Sequence, residues 1–131
     1  MATLTVNNLV QAAATSSISN TFVANNAIMT TSSSGGDQFT NTGKEFLAFQ
    51  NSSSQGAGAS ITIGITAQNA DNFGGAASLH SLSLAIPSSS FGLTLVGPFP
   101  PAVFNNATGF VSITYSAGGL AVGVFSVAPR S

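Results

Sequence analysis

The sequence predicts an all-β protein: a single β-sandwich or jelly-roll-like domain of about seven to nine strands, with an extended N-terminal arm. Three observations lead there. Apolar and polar residues alternate in short runs from Gln38 onward, Gly, Ser, Asn and Pro recur between those runs, and almost no stretch has helical spacing. At 131 residues the chain makes one domain, long enough to bury roughly two-thirds of its unfolded surface.

Residues 1–36 read as the arm and residues 37–131 as the sandwich, with one or two more strands from the N-terminal part completing the count. Val6, Leu9, Val10 and Ala13 fall at helical spacing with Asn7 or Asn8 as a cap, which allows one short helix. Residues 11–36 are rich in Ala, Ser, Thr and Asn, with Phe22, Val23, Ile28 and Met29 scattered among them. These apolar residues are too sparse for a core of their own and suit anchors laid across a neighbouring surface.

In the sandwich, "KEFLAFQN" alternates around Leu47 and Phe49, and "SITIGIT" puts Ile61, Ile63 and Ile65 on one face. "LHSLSLAIP" alternates through Leu82, Leu84 and Ile86 until Pro87 stops it, and "FGLTLVGPF" gives a short strand on Leu93 and Leu95. "GFVSITYS" alternates Val111, Ile113 and Tyr115, whereas "LAVGVFSVA" is apolar on both faces, as in a strand deep in a sandwich. Ala117-Gly118-Gly119 between these two reads as a tight hairpin. Gly64 and Gly123, inside strands, mark bulges or close backbone approach.

Residues 97–104, "GPFPPAVF", hold three of the five prolines. Each proline lacks an N–H and fixes φ, so the segment fits neither an ordinary helix nor a sheet interior. A docking ligand of the polyproline type would sit in a polar tail, but this segment lies between two strand patterns and contains Phe99, Val103 and Phe104. It reads as a stiff connector across one end of the sandwich, with some of its rings plugging the core.

Composition argues against several functions. Charged residues are 4% of the chain, and the ionisable side chains are Asp37, Lys44, Glu45, Asp71, His80 and Arg130. Two basic residues cannot neutralise many phosphates, so nucleic acid is not an expected partner. His80 has neither an orienting carboxylate nor a nucleophile beside it in sequence, so no catalytic residue is assigned and an enzyme is not expected. Asp37, Glu45 and Asp71 are too few for a calcium site and Asp37 and Asp71 suit turns, so neither metal nor cofactor is expected. "NFGGAAS" and "SSSGGD" lack the lysine of a phosphate loop. The sequons at Asn51 and Asn106 are of the kind that arises by chance in so Asn- and Ser-rich a chain. There is no cysteine, no basic segment followed by an apolar core at the N-terminus, and no long apolar run, so neither a Sec signal nor a membrane partner is expected.

From about residue 35 the linear arrangement resembles a family of small head proteins of tailed bacteriophages, the decoration or cement type. The resembling elements are "GGDQFTNTGKEFLAFQN", "ITIGITAQ", "LTLVGPFPPAVFNN" and "GFVSITYSAGGLAVGVFSV". The third, an apolar strand running into Gly-Pro-Phe-Pro-Pro and an aromatic-Asn turn, is the most specific. The resemblance implies a β-sandwich that binds the outside of an assembled capsid as a homo-oligomer, a trimer or dimer at a symmetry axis. The major capsid protein would be its partner, the virion exterior its location, and host cytoplasm the site of assembly. A fibre-tip or lectin-like glycan-binding module is the alternative, and it would show exposed aromatics beside loop Asp or Asn residues.

Overall fold

The structure, a computed structural model, describes residues 1–9, 29–51, 60–69, 81–87 and 93–127. Ten strands form in them: β1 (Ala2–Thr3), β2 (Val6–Leu9), β3 (Thr30–Thr31), β4 (Asp37–Thr40), β5 (Glu45–Gln50), β6 (Ile61–Ile65), β7 (Leu82–Ile86), β8 (Thr94–Val96), β9 (Phe110–Tyr115) and β10 (Ala121–Val127). A one-turn helix α1 (Pro101–Phe104) lies between β8 and β9. One sheet has the order β1-β4-β9-β6-β7; the other runs β2-β10-β5-β8, with β3 also beside β10.

Strands β3 to β10 pair in nested antiparallel couples: β3 with β10, β4 with β9, β5 with β8 and β6 with β7. Rolling up that long hairpin adds the pairs β10–β5 and β9–β6, which is the jelly-roll arrangement of a two-sheet sandwich. The all-β sandwich expected from the alternation is therefore the architecture.

Between the sheets, Leu47, Phe49, Val122 and Val124 meet Phe39, Ile61, Ile63, Ile65, Ile86, Val111 and Ile113, all essentially inaccessible. The period-two runs produce this directly, because each second side chain leaves the same face of the pleat. Asn51, at the end of β5, donates to the Ile86 carbonyl of the opposite sheet at 2.9 Å. Strands β5 and β10 are apolar on their outer faces too: Ala48 and Phe125 are fully buried against Phe46 and Met29. The register pairs Phe125 with Phe46, and their rings stack with centroids 5.9 Å apart. A Cβ on Gly123 would come within 2.8 Å of the Phe125 ring, and one on Gly64 within 2.6 Å of Thr114 Oγ1. Close approach is what these two in-strand glycines serve.

Residues 97–109 cross from one sheet to the other over one end of the sandwich, as the connector reading anticipates. The Gly97–Pro98 bond is cis. Phe99 and Phe104 are buried, and Phe99 contacts Phe39 and Phe104 at centroid distances of 5.8 and 5.5 Å. The helical turn of α1 departs from expectation. It forms because Pro101 stands at its first position, where a missing N–H costs nothing, while Pro100 O accepts from Val103 and Phe104.

Three other expectations are corrected. Val6–Leu9 is a strand rather than part of a short helix, and residues 1–9 and 29–36 supply three strands where one or two were expected, giving ten among the described residues against seven to nine; Val10 to Ile28 lie outside the described residues. Ala117-Gly118-Gly119 is no hairpin, because β9 and β10 belong to different sheets and residues 116–120 arch between them. In β8 the phase is inverted: Thr94 and Val96 pair with the inward-facing Phe49 and Leu47, while Leu95 pairs with outward-facing Ala48. Leu93 and Leu95 are accordingly 40% and 59% exposed.

Candidate functional site

Among the described residues the ionisable side chains, Asp37, Lys44 and Glu45, do not converge. His80, Asp71 and Arg130 lie outside the described residues. Asp37 is fully buried in β4, where Oδ2 accepts from the Tyr115 hydroxyl at 2.7 Å and from the Ser33 N–H at 3.2 Å. Its Oδ1 is buried with no hydrogen-bond partner. Tyr115 in turn has its phenol pushed far above the ordinary range by burial, by the hydrogen bond to Asp37 and by the charge there.

Glu45, in the opposite sheet, closes the turn between β4 and β5. Its carboxyl accepts from the Thr42 N–H at 2.7 Å, the Thr42 hydroxyl at 2.8 Å and the Lys44 N–H at 3.1 Å. Burial pushes its pKa up, but these hydrogen bonds outweigh it and the net direction is downward. Both acids thus serve backbone and hydroxyl donors of the scaffold. Among the described residues no three His, Cys, Asp or Glu side chains group around a possible metal position.

The sequons have similar local duties. Asn51 is buried with its amide on Ile86 O, so the described geometry does not present it to a glycosyltransferase. Asn106 Oδ1 accepts from the Thr108 N–H, the Thr108 hydroxyl and the Phe110 N–H, which shapes the turn into β9.

Three surface features remain. On the outer face at the β8 edge, Phe46, Leu95, Val96, Gly97 and Pro98 line an apolar recess of about 280 Å³. At the connector end, Gln68, Asn69, Asn105, Asn106 and Ala107 line a recess of about 260 Å³. Beneath it Asn41 is buried, donating to Phe99 O at 3.0 Å and Asn105 Oδ1 at 2.7 Å, so the amide rim rests on a satisfied polar network. On the flank, residues of β1, β2, β3 and β10 line a recess of about 440 Å³.

An apolar edge is a kind of feature that can bind another macromolecule. Among the described residues Lys44 is the one exposed charged side chain, and the exposed large hydrophobics are Met1, Leu93 and Leu95. An uncharged surface with leucines on a strand edge offers desolvation and backbone pairing rather than ion pairs. The sequence placed a short strand on Leu93 and Leu95 but did not mark them as exposed. No family model matches the chain, and neither a curated protein nor a solved structure matches it.

Proposed function

We propose that the protein is a structural virion component that binds the outer surface of an assembled phage capsid and stabilises it. The observation that carries this reading is the apolar edge of Phe46, Leu95, Val96 and Pro98 on a surface nearly free of charge. A ligand of the closed shell raises the cost of opening it, and many identical sites multiply that effect. Each contact would bury about 800 Å² per partner, with the β8 face as its centre. The major capsid protein is the partner proposed, and a dimer or trimer at a symmetry axis would supply the repeated contacts.

Co-sedimentation with undecorated capsids at low and high salt tests this. Binding should survive about 1 M salt, where the screening length is about 3 Å and surface ion pairs are lost. Leu95→Asp should abolish it without lowering the melting temperature. Loss of wild-type binding at high salt, or full binding by Leu95→Asp, would overturn the reading.

The glycan-binding alternative has one observation in its favour, the amide rim of Gln68, Asn69, Asn105 and Asn106. Among the described residues no aromatic ring lines that recess to give a sugar a stacking surface. A glycan array would support it only with binding that Asn69→Ala removes and Leu95→Asp does not.

A further inference from the structure

The jelly roll is complete without residues 1–9. Strands β1 and β2 are additions to it: β1 runs parallel to β4 on one sheet, and β2 runs parallel to β10 on the other. The segment changes sheets at Leu4 and Thr5 and so straps one flank of the sandwich.

Backbone bonds run along this strap. Ala2 N donates to Gly36 O at 3.2 Å and Leu4 N to Gln38 O at 2.7 Å, and the β2–β10 ladder continues the line. Leu4 is the buried apolar anchor and Val6 a partly buried one, while Ala2, Thr3 and Thr5 are exposed. The 440 Å³ recess is lined by Ala2–Thr5 and Asn7 of the strap and by Thr30, Thr31 and Val122–Val124 of the sandwich. Exposed residues at Ala2, Thr3 and Thr5, on or beside strands at the sheet edge, are the marks of a segment that can open locally.

The connection to the strap is far longer than its path requires. Leu9 pairs with Val127 and Thr30 with Val122, five residues apart along the same edge of β10, or about 17 Å at strand rise. Residues 10–29 join them, and a chain of that length reaches about 66 Å when extended. A 131-residue domain is about 36 Å across. The same strap can therefore dock in its own flank or in an identical flank of a neighbour, making the same bonds in either place.

We propose that the segment Ala2–Leu9 is exchanged between copies of this chain, each strap completing both sheets of a second copy. Docking at home is favoured in dilute solution, because a tether of this length sets an effective concentration of roughly millimolar. Exchange takes over where copies are held at that density. The proposal does not depend on what the β8 face binds.

The chain has no cysteine, so thiols can be placed at will. Thr3 and Gln38 are register partners whose side chains hydrogen-bond at 3.0 Å. Thr3→Cys and Gln38→Cys variants, refolded together at about 1 mM and oxidised, should give a disulfide heterodimer joining position 3 to position 38 by peptide mapping; at about 1 μM it should fall at least tenfold. Absence of that heterodimer at 1 mM, while the doubly substituted chain closes its disulfide within one molecule, would overturn exchange. If the doubly substituted chain forms no disulfide, hydrogen exchange on the unmodified protein decides. Ala2 and Leu4 amides exchanging many-fold faster than those of β5 support a detachable strap, and exchange at the β5 rate overturns it.

Discussion

The Tyr115 hydroxyl donates to Asp37 Oδ2 at 2.7 Å, so the chain's single tyrosine closes on a carboxyl group with no exposed surface. The bond spans β9 and β4 of one sheet, between positions 78 residues apart. The phenol is held protonated in the fold, with its pKa raised above the ordinary value near 10. Its contribution is complete below pH about 10 and is lost as pH rises, because the unfolded phenol ionises first. Phenolate absorbance should therefore appear together with loss of sheet circular dichroism, in one step. A phenolate titration near pH 10 with the sheet intact would contradict this. Tyr115→Phe should cost about 1–3 kcal/mol, since it removes the hydroxyl donor from a buried carboxyl.

Glu45 should act at the opposite end of the pH scale. Its folded pKa lies below the ordinary value near 4.5, so its stabilisation is present above that value and lost as pH falls through the folded one. Glu45→Gln should lower the melting temperature at pH 7, and the gap to wild type should narrow as pH falls below about 4. Thermal melts across that range check it, and a constant gap would show that charge has no part in holding the turn.

Asn41 fastens the connector to the turn between β4 and β5. Besides its two donated bonds, its Oδ1 accepts from the Gly43 N–H at 3.1 Å, and Asn105 Nδ2 returns a bond to its carbonyl at 2.9 Å. Asn41→Ala leaves Phe99 O, Asn105 Oδ1 and the Gly43 N–H without these partners. The expected loss is on the order of 3 kcal/mol by denaturant titration. Asn41→Asp keeps the acceptor for Gly43 but cannot make both donations, so it should not rescue. A loss below about 1 kcal/mol in Asn41→Ala would mean that water replaces the amide.

What was legible in the sequence follows from how local each determinant is. Ile61, Ile63 and Ile65 mark a buried face because three repeats of period two leave one consistent phase. The three residues of β8 do not, and the face that Leu95 takes is decided by its pairing with Ala48. Val6 and Leu9 fit a helix as well as a strand, and what decides is β10, near the other end of the chain. Gly118 and Gly119 announce a turn but not the sheet that the next strand joins. The polar links Tyr115–Asp37 and Asn41–Asn105 join residues 78 and 64 positions apart, beyond any spacing rule. The exposed apolar β8 face was hidden for the same reason, since its position depends on a strand register.

The connector supplies the last prediction. Gly97 has φ of +134°, and a Cβ there would stand 3.0 Å from Phe46 Cα and 3.2 Å from Glu45 O. Backbone forms much of that wall, so the strand cannot make room by changing a rotamer, and the torsion itself is one that side chains rarely adopt. Gly118 is the comparison, with nothing within 4 Å of its added Cβ. Gly97→Ala should cost on the order of 2 kcal/mol or more, and Gly118→Ala should stay within about 0.5 kcal/mol of wild type. Because β8 enters this turn directly, Gly97→Ala should also move Leu95 and Pro98 relative to Phe46 and weaken docking at temperatures where the fold is intact. Equal melts for the two alanine variants would show that the turn relaxes away from β5, and the β8 face would then not be fixed by the contact at Gly97.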